Sequence, residues 1–74
     1  MTKKNVDLGY KGDWCEQTAE FATACGDKET ADRNYRRAIV SYETGGWIEQ
    51  ALNVARKIGD TDKTRELEEK LNGE

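Results

Sequence analysis

Apolar residues recur along this chain with a helical period. Trp14, Thr18, Phe21 and Cys25 stand at i, i+4, i+7 and i+11. Ala31, Tyr35, Ala38 and Tyr42 repeat that spacing, and Trp47, Ala51, Val54 and Ile58 repeat it again. Leu67 and Leu71 give a thinner version near the end, and no stretch of strand length alternates with period two. Proline is absent, and glycines fall between the runs: Gly9, Gly12, Gly26, Gly45 with Gly46, Gly59 and Gly73. Glycine favours the position just past a helix end, where the chain turns left-handed. Used as punctuation, these residues predict four helices at about 13–25, 28–44, 46–58 and 61–72. Asp13 followed by Glu16 has the capping-box arrangement. Asp27 and Asp60 each follow a glycine and can accept the free N–H groups that open the next helix. The predicted fold is all-α, with residues 1–11 a tail or covering segment and residues 12–74 a two-repeat helical domain.

The chain also repeats itself. A shift of 33 residues lays Trp14 on Trp47, Glu16 on Glu49, Gln17 on Gln50, Ala22 on Ala55, Gly26 on Gly59 and Asp27 on Asp60. Gly12 falls on Gly45, and the apolar exchanges are conservative: Cys15 for Ile48, Phe21 for Val54, Cys25 for Ile58. Such a period marks stacked supersecondary units. Here the unit is a helix–turn–helix, present twice.

These residues resemble the tetratricopeptide repeat and its relatives. An aromatic early in the first helix, a small residue four on and a larger apolar residue three further are Trp14, Thr18 and Phe21, then Trp47, Ala51 and Val54. Ala31, Tyr35 and Ala38 match the second helix of the pattern. Thr64, Glu68 and Leu71 depart from it, and Thr44-Gly45-Gly46 replaces the closing proline. The resemblance covers residues 12–72. It implies stacked hairpins of an α-solenoid, whose first helices line a groove that binds extended peptides.

Length and composition narrow the function. At 74 residues the chain is one small domain, near the lower limit for a single core. A net charge of -3, with charged residues at 36%, excludes a polybasic nucleic-acid arm. No apolar run reaches membrane-spanning length, and the first residues lack a signal core. Histidine is absent, which removes the commonest general base and metal ligand. There is no Gly-rich phosphate loop and no serine elbow, so no enzyme, cofactor or metal is expected. Cys15 and Cys25 lie ten residues apart on one predicted helix, about 15 Å, too far for a disulfide. Both are expected as reduced, buried thiols in a cytoplasmic protein.

In this reading Trp14 and Trp47 are the largest packing units, and the Trp47 stripe packs against the second helix of each repeat. Ile48, Leu52 and Ala55 then form a second apolar stripe in need of cover. Val6, Leu8 and Tyr10 folding back could supply it, as could a peptide or a second copy of the chain. The expected function is a protein–protein interaction module, with Cys15, Thr23, Ile48, Leu52, Ala55 and Arg56 as partner contacts. The alternative is a structural protein that forms a homodimer through the Ile48/Leu52 face. Arg33, Arg36 and Arg37, with Lys28 nearby, share a basic side of the second helix. Glu29 and Asp32, four residues before Arg33 and Arg36, make it a solvated face in this reading. Neither nucleic acid nor a membrane is expected as a partner.

Overall fold

The computed structural model describes residues 3–73. They form four helices: α1 (Val6–Ala24), α2 (Lys28–Thr44), α3 (Ile48–Lys57) and α4 (Thr61–Asn72). Consecutive helices pack on one another, α1 on α2, α2 on α3 and α3 on α4, so the chain is a row of helical hairpins. Among the described residues no helix is long and apolar enough to cross a membrane.

The three turns are built alike. Gly26, Gly46 and Gly59 have φ of 83°, 85° and 72°, the left-handed region that side chains with a Cβ avoid. After each glycine a backbone N–H reaches back across the turn. Asp27 donates to the Ala22 carbonyl at 2.9 Å, Trp47 to Tyr42 at 2.7 Å and Asp60 to Ala55 at 3.0 Å. This is the Schellman closure, which satisfies carbonyls the helix end leaves free. Two of the turns lead directly into a cap. The Asp27 carboxylate accepts from the Thr30 N–H and the Asp60 carboxylate from the Lys63 N–H, each at 3.1 Å. The Thr30 hydroxyl also donates to Asp27, and with the backbone bond this holds the Asp27 carboxyl below its ordinary pKa.

Three helices lie where the pattern puts them, to within two residues. The exception is the start of α1. Asn5 caps it, accepting from the Leu8 N–H at 3.1 Å, and the helix runs without a break through Gly9, Gly12 and Asp13. Asp13 is therefore a mid-helix residue, not the predicted cap. Of the segment 1–11, residues 1–2 lie outside the described residues, and from Val6 onward it is the first turns of α1. Gly9 and Gly12, expected as punctuation, are buried inside the helix instead.

The core cluster gathers Cys15 from α1, Ala38, Ile39 and Tyr42 from α2, Ala51, Leu52, Val54 and Ala55 from α3, and Leu67 from α4. Tyr35, Trp47, Ile48 and Ile58 pack against it while half-buried.

Candidate partner-binding site

α1 is built in reverse of the usual amphipathic helix. Its buried face carries Gly9, Gly12, Cys15, Ala19 and Ala22. Its opposite face carries Val6, Tyr10, Trp14 and Phe21, all exposed, the last two at 71% and 72%. At about 100° per residue these four positions fall within about 80° of arc. The small inner face exists because α2 comes close. A Cβ on Gly12 would stand 2.6 Å from the Tyr42 ring, and one on Gly9 would stand 2.8 Å from the Trp47 indole nitrogen. Both distances are inside van der Waals contact, so each glycine makes room for an aromatic ring.

Polar contacts fix the orientation of α1. The Tyr42 hydroxyl donates to Asp13, and it lies 3.0 Å from Glu16. Burial first, and then these two carboxylates, raise the Tyr42 pKa above its ordinary range. Lys57 at the end of α3 reaches Glu16 at 2.9 Å and Glu20 at 3.1 Å. The hydrogen bond to Glu16 is the main cause that lifts Lys57 to about 12. Before the helix, the Trp47 indole N–H donates to the Asn5 carbonyl at 2.8 Å, and the Lys4 ammonium sits 4.8 Å from the centre of the Trp47 ring. The outward direction of the Trp14 stripe is thus set from three sides.

The two apolar stripes do not divide as expected: in the second copy both are packed, and in the first only the Cys15 stripe is. The stripe of Cys15, Ala19 and Ala22, and its repeat partner Ile48, Leu52 and Ala55, is the packed inner seam; α1 makes its main contact with α2. The stripe of Trp14, Thr18 and Phe21 corresponds to Trp47, Ala51 and Val54. In the second copy these positions join or pack against the core. In the first copy Trp14 and Phe21 are exposed and Thr18 is half-buried; among the described residues no helix packs on that side of α1 as α2 packs on α3.

This overturns most of the predicted contact set. Leu52 is 5% exposed and Ala55 is 0% exposed, and Cys15 is buried with them; none can meet a partner. Ile48 is half-buried against the same cluster. Thr23 is exposed, but its hydroxyl donates to the Ala19 carbonyl at 2.9 Å. Arg56 is exposed and bound to Glu68 at 2.8 Å. The six positions do not form one surface, and the Ile48/Leu52 face is closed within the single chain. Cys25, expected to be buried, is an exposed free thiol at the end of α1; Cys15 is the buried one. Trp14, expected as a core anchor, lies on the surface.

The exposed face of α1 had a signal of its own. Tyr10, Trp14, Gln17, Phe21 and Ala24 are spaced 4-3-4-3, the seam spacing of a helix that packs along another helix. Compared with family models, with curated proteins and with solved structures, the chain matches none.

Proposed function

We propose that this chain is a small protein–protein interaction module whose contact surface is the outer face of α1, and that its partner supplies a helix. One observation carries the reading. The second-copy positions Trp47, Ala51 and Val54, which join or pack against the core, correspond in α1 to Trp14, Thr18 and Phe21, and among the described residues Trp14 and Phe21 are left uncovered. The exposed Tyr10, Trp14 and Phe21 rings leave roughly 300–500 Å² of aromatic surface open, the size of the largest apolar patch on a typical monomer, which is often a functional surface. The far end of the row is different: α4 ends on Glu66, Glu69 and Lys70, all exposed, as a solvent-facing cap does. An incoming helix would lie along α1 as α2 lies along α3, so the tetratricopeptide-like stacking would continue in trans.

Charge favours a partner other than a second copy. Asp13 and Glu20 run along one edge of the aromatic stripe, and with Glu16 beside them they meet, among the described residues, a single cation, Lys57, so the edge stays net negative. In a two-fold antiparallel pair that edge would meet itself, and like charges would oppose each other. A helix with an apolar seam and a basic edge fits better. The reading assigns no catalytic step. It places the protein in the cytoplasm, where free thiols such as Cys15 and Cys25 persist.

The test titrates the protein with two designed amphipathic peptides of equal apolar seam, one with lysine and one with glutamate along the edge. Saturable binding of the lysine peptide, lost in Trp14→Glu/Phe21→Glu, supports the reading. Equal binding of both peptides by that variant and by the parent chain overturns it.

A further inference from the structure

We infer a second binding site, for a phosphate group, in the cleft between α1 and α2. The cleft has a volume of about 500 Å³ and is lined by Lys11 from α1 and by Arg33, Arg36, Arg37 and Val40 from α2, with the buried Cys15 beside them. Its charge is the argument. The chain carries 12 Lys and Arg. Arg36, Arg56, Lys57, Lys63 and Lys70 are held in ion pairs. Among the described residues the other seven have no such partner, and three of the seven, Lys11, Arg33 and Arg37, line this one cleft.

Arg36 behaves differently from its neighbours. It binds Asp32 at 2.9 Å and Asp60 at 3.3 Å, which fixes it at the rim and neutralises it. That leaves three cations around one space that no ion pair holds, in a chain whose net charge is -3. The neighbouring depression shows the contrast. It shares Arg33 and Arg36 with the cleft but adds Lys28, Glu29 and Asp32, so it mixes both signs.

Cations of this number and type suit a phosphate monoester. The group carries about -1.5 to -2 charges at neutral pH and three acceptor oxygens, whereas a carboxylate brings a single charge. Arginine forks bind its oxygens in pairs, and lysine adds a point charge from the opposite wall. The exposed Val40 and the aliphatic stems of the arginines give the cleft an apolar wall for whatever carries the phosphate. Two sources share this chemistry: a phosphorylated side chain on a peptide and a free small phosphate.

The experiment follows amide and arginine Nε–H NMR signals of the whole chain at constant ionic strength. Its probes are inorganic phosphate, a short phosphoserine peptide, the same peptide without phosphate, and acetate. The expected result is saturable shifts at Lys11, Arg33, Arg37 and Ser41 with the two phosphate probes, and none that saturate with acetate or the unmodified peptide. A phosphopeptide at least tenfold tighter than inorganic phosphate identifies a phosphorylated chain as the source; equal affinity identifies free phosphate. Arg33→Gln/Arg37→Gln, and separately Lys11→Gln, should each weaken binding at least tenfold. Arg65→Gln, which removes an unpaired cation elsewhere, and Trp14→Glu/Phe21→Glu should leave it unchanged. Shifts that are diffuse, that acetate reproduces, or that survive in both cleft variants overturn the proposal.

Discussion

Trp14 and Trp47 open the same Trp-x-Glu-Gln sequence, and they end in different surroundings. Trp47 lies against Gly9, donates to the Asn5 carbonyl and is covered by Lys4. Trp14 is 71% exposed. Seven residues on, Val54 is fully buried and Phe21 is 72% exposed. Six of the fourteen residues from 14 to 27 are identical to those from 47 to 60, Trp14 and Trp47 among them, so the shared residues do not by themselves fix their surroundings. Packing accompanies the difference: among the described residues α3 packs on both α2 and α4, whereas α1 packs chiefly on α2. A repeat unit carries the surface for its neighbour whether or not the neighbour is present.

The largest expected effect breaks the comparison most sharply. Val54→Asp places a carboxylate in a fully buried position without a partner and should cost more than about 4 kcal/mol, enough to unfold a domain of this size. Phe21→Asp at the equivalent place should cost under about 0.5 kcal/mol. Urea unfolding followed by circular dichroism measures both. Equal losses would mean that the two copies are packed alike.

Next comes the inner face of α1. Gly12→Ala pushes a methyl group into the Tyr42 ring, 2.6 Å from its nearest carbons, and should cost about 1–3 kcal/mol. The normal helix-stabilising effect of that exchange, about 1 kcal/mol, would appear instead if α2 did not approach so closely. Tyr42→Phe keeps the ring and removes the hydroxyl bound to Asp13 and Glu16. A loss of about 1–2 kcal/mol is expected, read from the same urea curves.

The smallest effect concerns the far end of the row and depends on pH. Glu43 of α2 meets Lys63 at 2.7 Å and also binds Lys70 on α4. Burial raises its pKa, but the hydrogen bonds to both lysines outweigh burial and hold it below its ordinary 4.5. A depressed carboxyl stabilises the fold above the unfolded pKa, and that contribution is lost as pH falls through the folded value. Stability should therefore fall below about pH 5 in the parent chain. Glu43→Gln should start lower and show a shallower acid limb in melts run across that range.

Much of the fold is legible in the residue order. The Gly-Asp pairs at 26–27 and 59–60 mark a left-handed turn followed by a cap, and both chemistries are local. The start of α1 is not legible in the same way. Gly9 and Gly12 have the look of breakers, yet they sit mid-helix because the Trp47 and Tyr42 rings need their missing Cβ atoms. That demand comes from residues more than 25 positions away. The assignment of stripes fails for a related reason. Ranking side chains by hydrophobic size puts Trp14 and Phe21 inside, whereas close packing of α1 on α2 selects the small face of Gly12, Ala19 and Ala22. The contacts assigned to Leu52 and Ala55 fall with that choice. The basic residues of α2 were legible as a group. That Lys11 joins them across a cleft is a property of the folded hairpin.

The most direct test of the account uses the two tryptophans as reporters. Trp14→Phe leaves Trp47 alone, and Trp47→Phe leaves Trp14 alone. At low micromolar concentration, Trp14 should emit like free tryptophan and be quenched by acrylamide as free tryptophan is, while Trp47 should be blue-shifted and protected. A blue-shifted, protected Trp14 in a chain that sediments as a monomer would contradict the open outer face of α1.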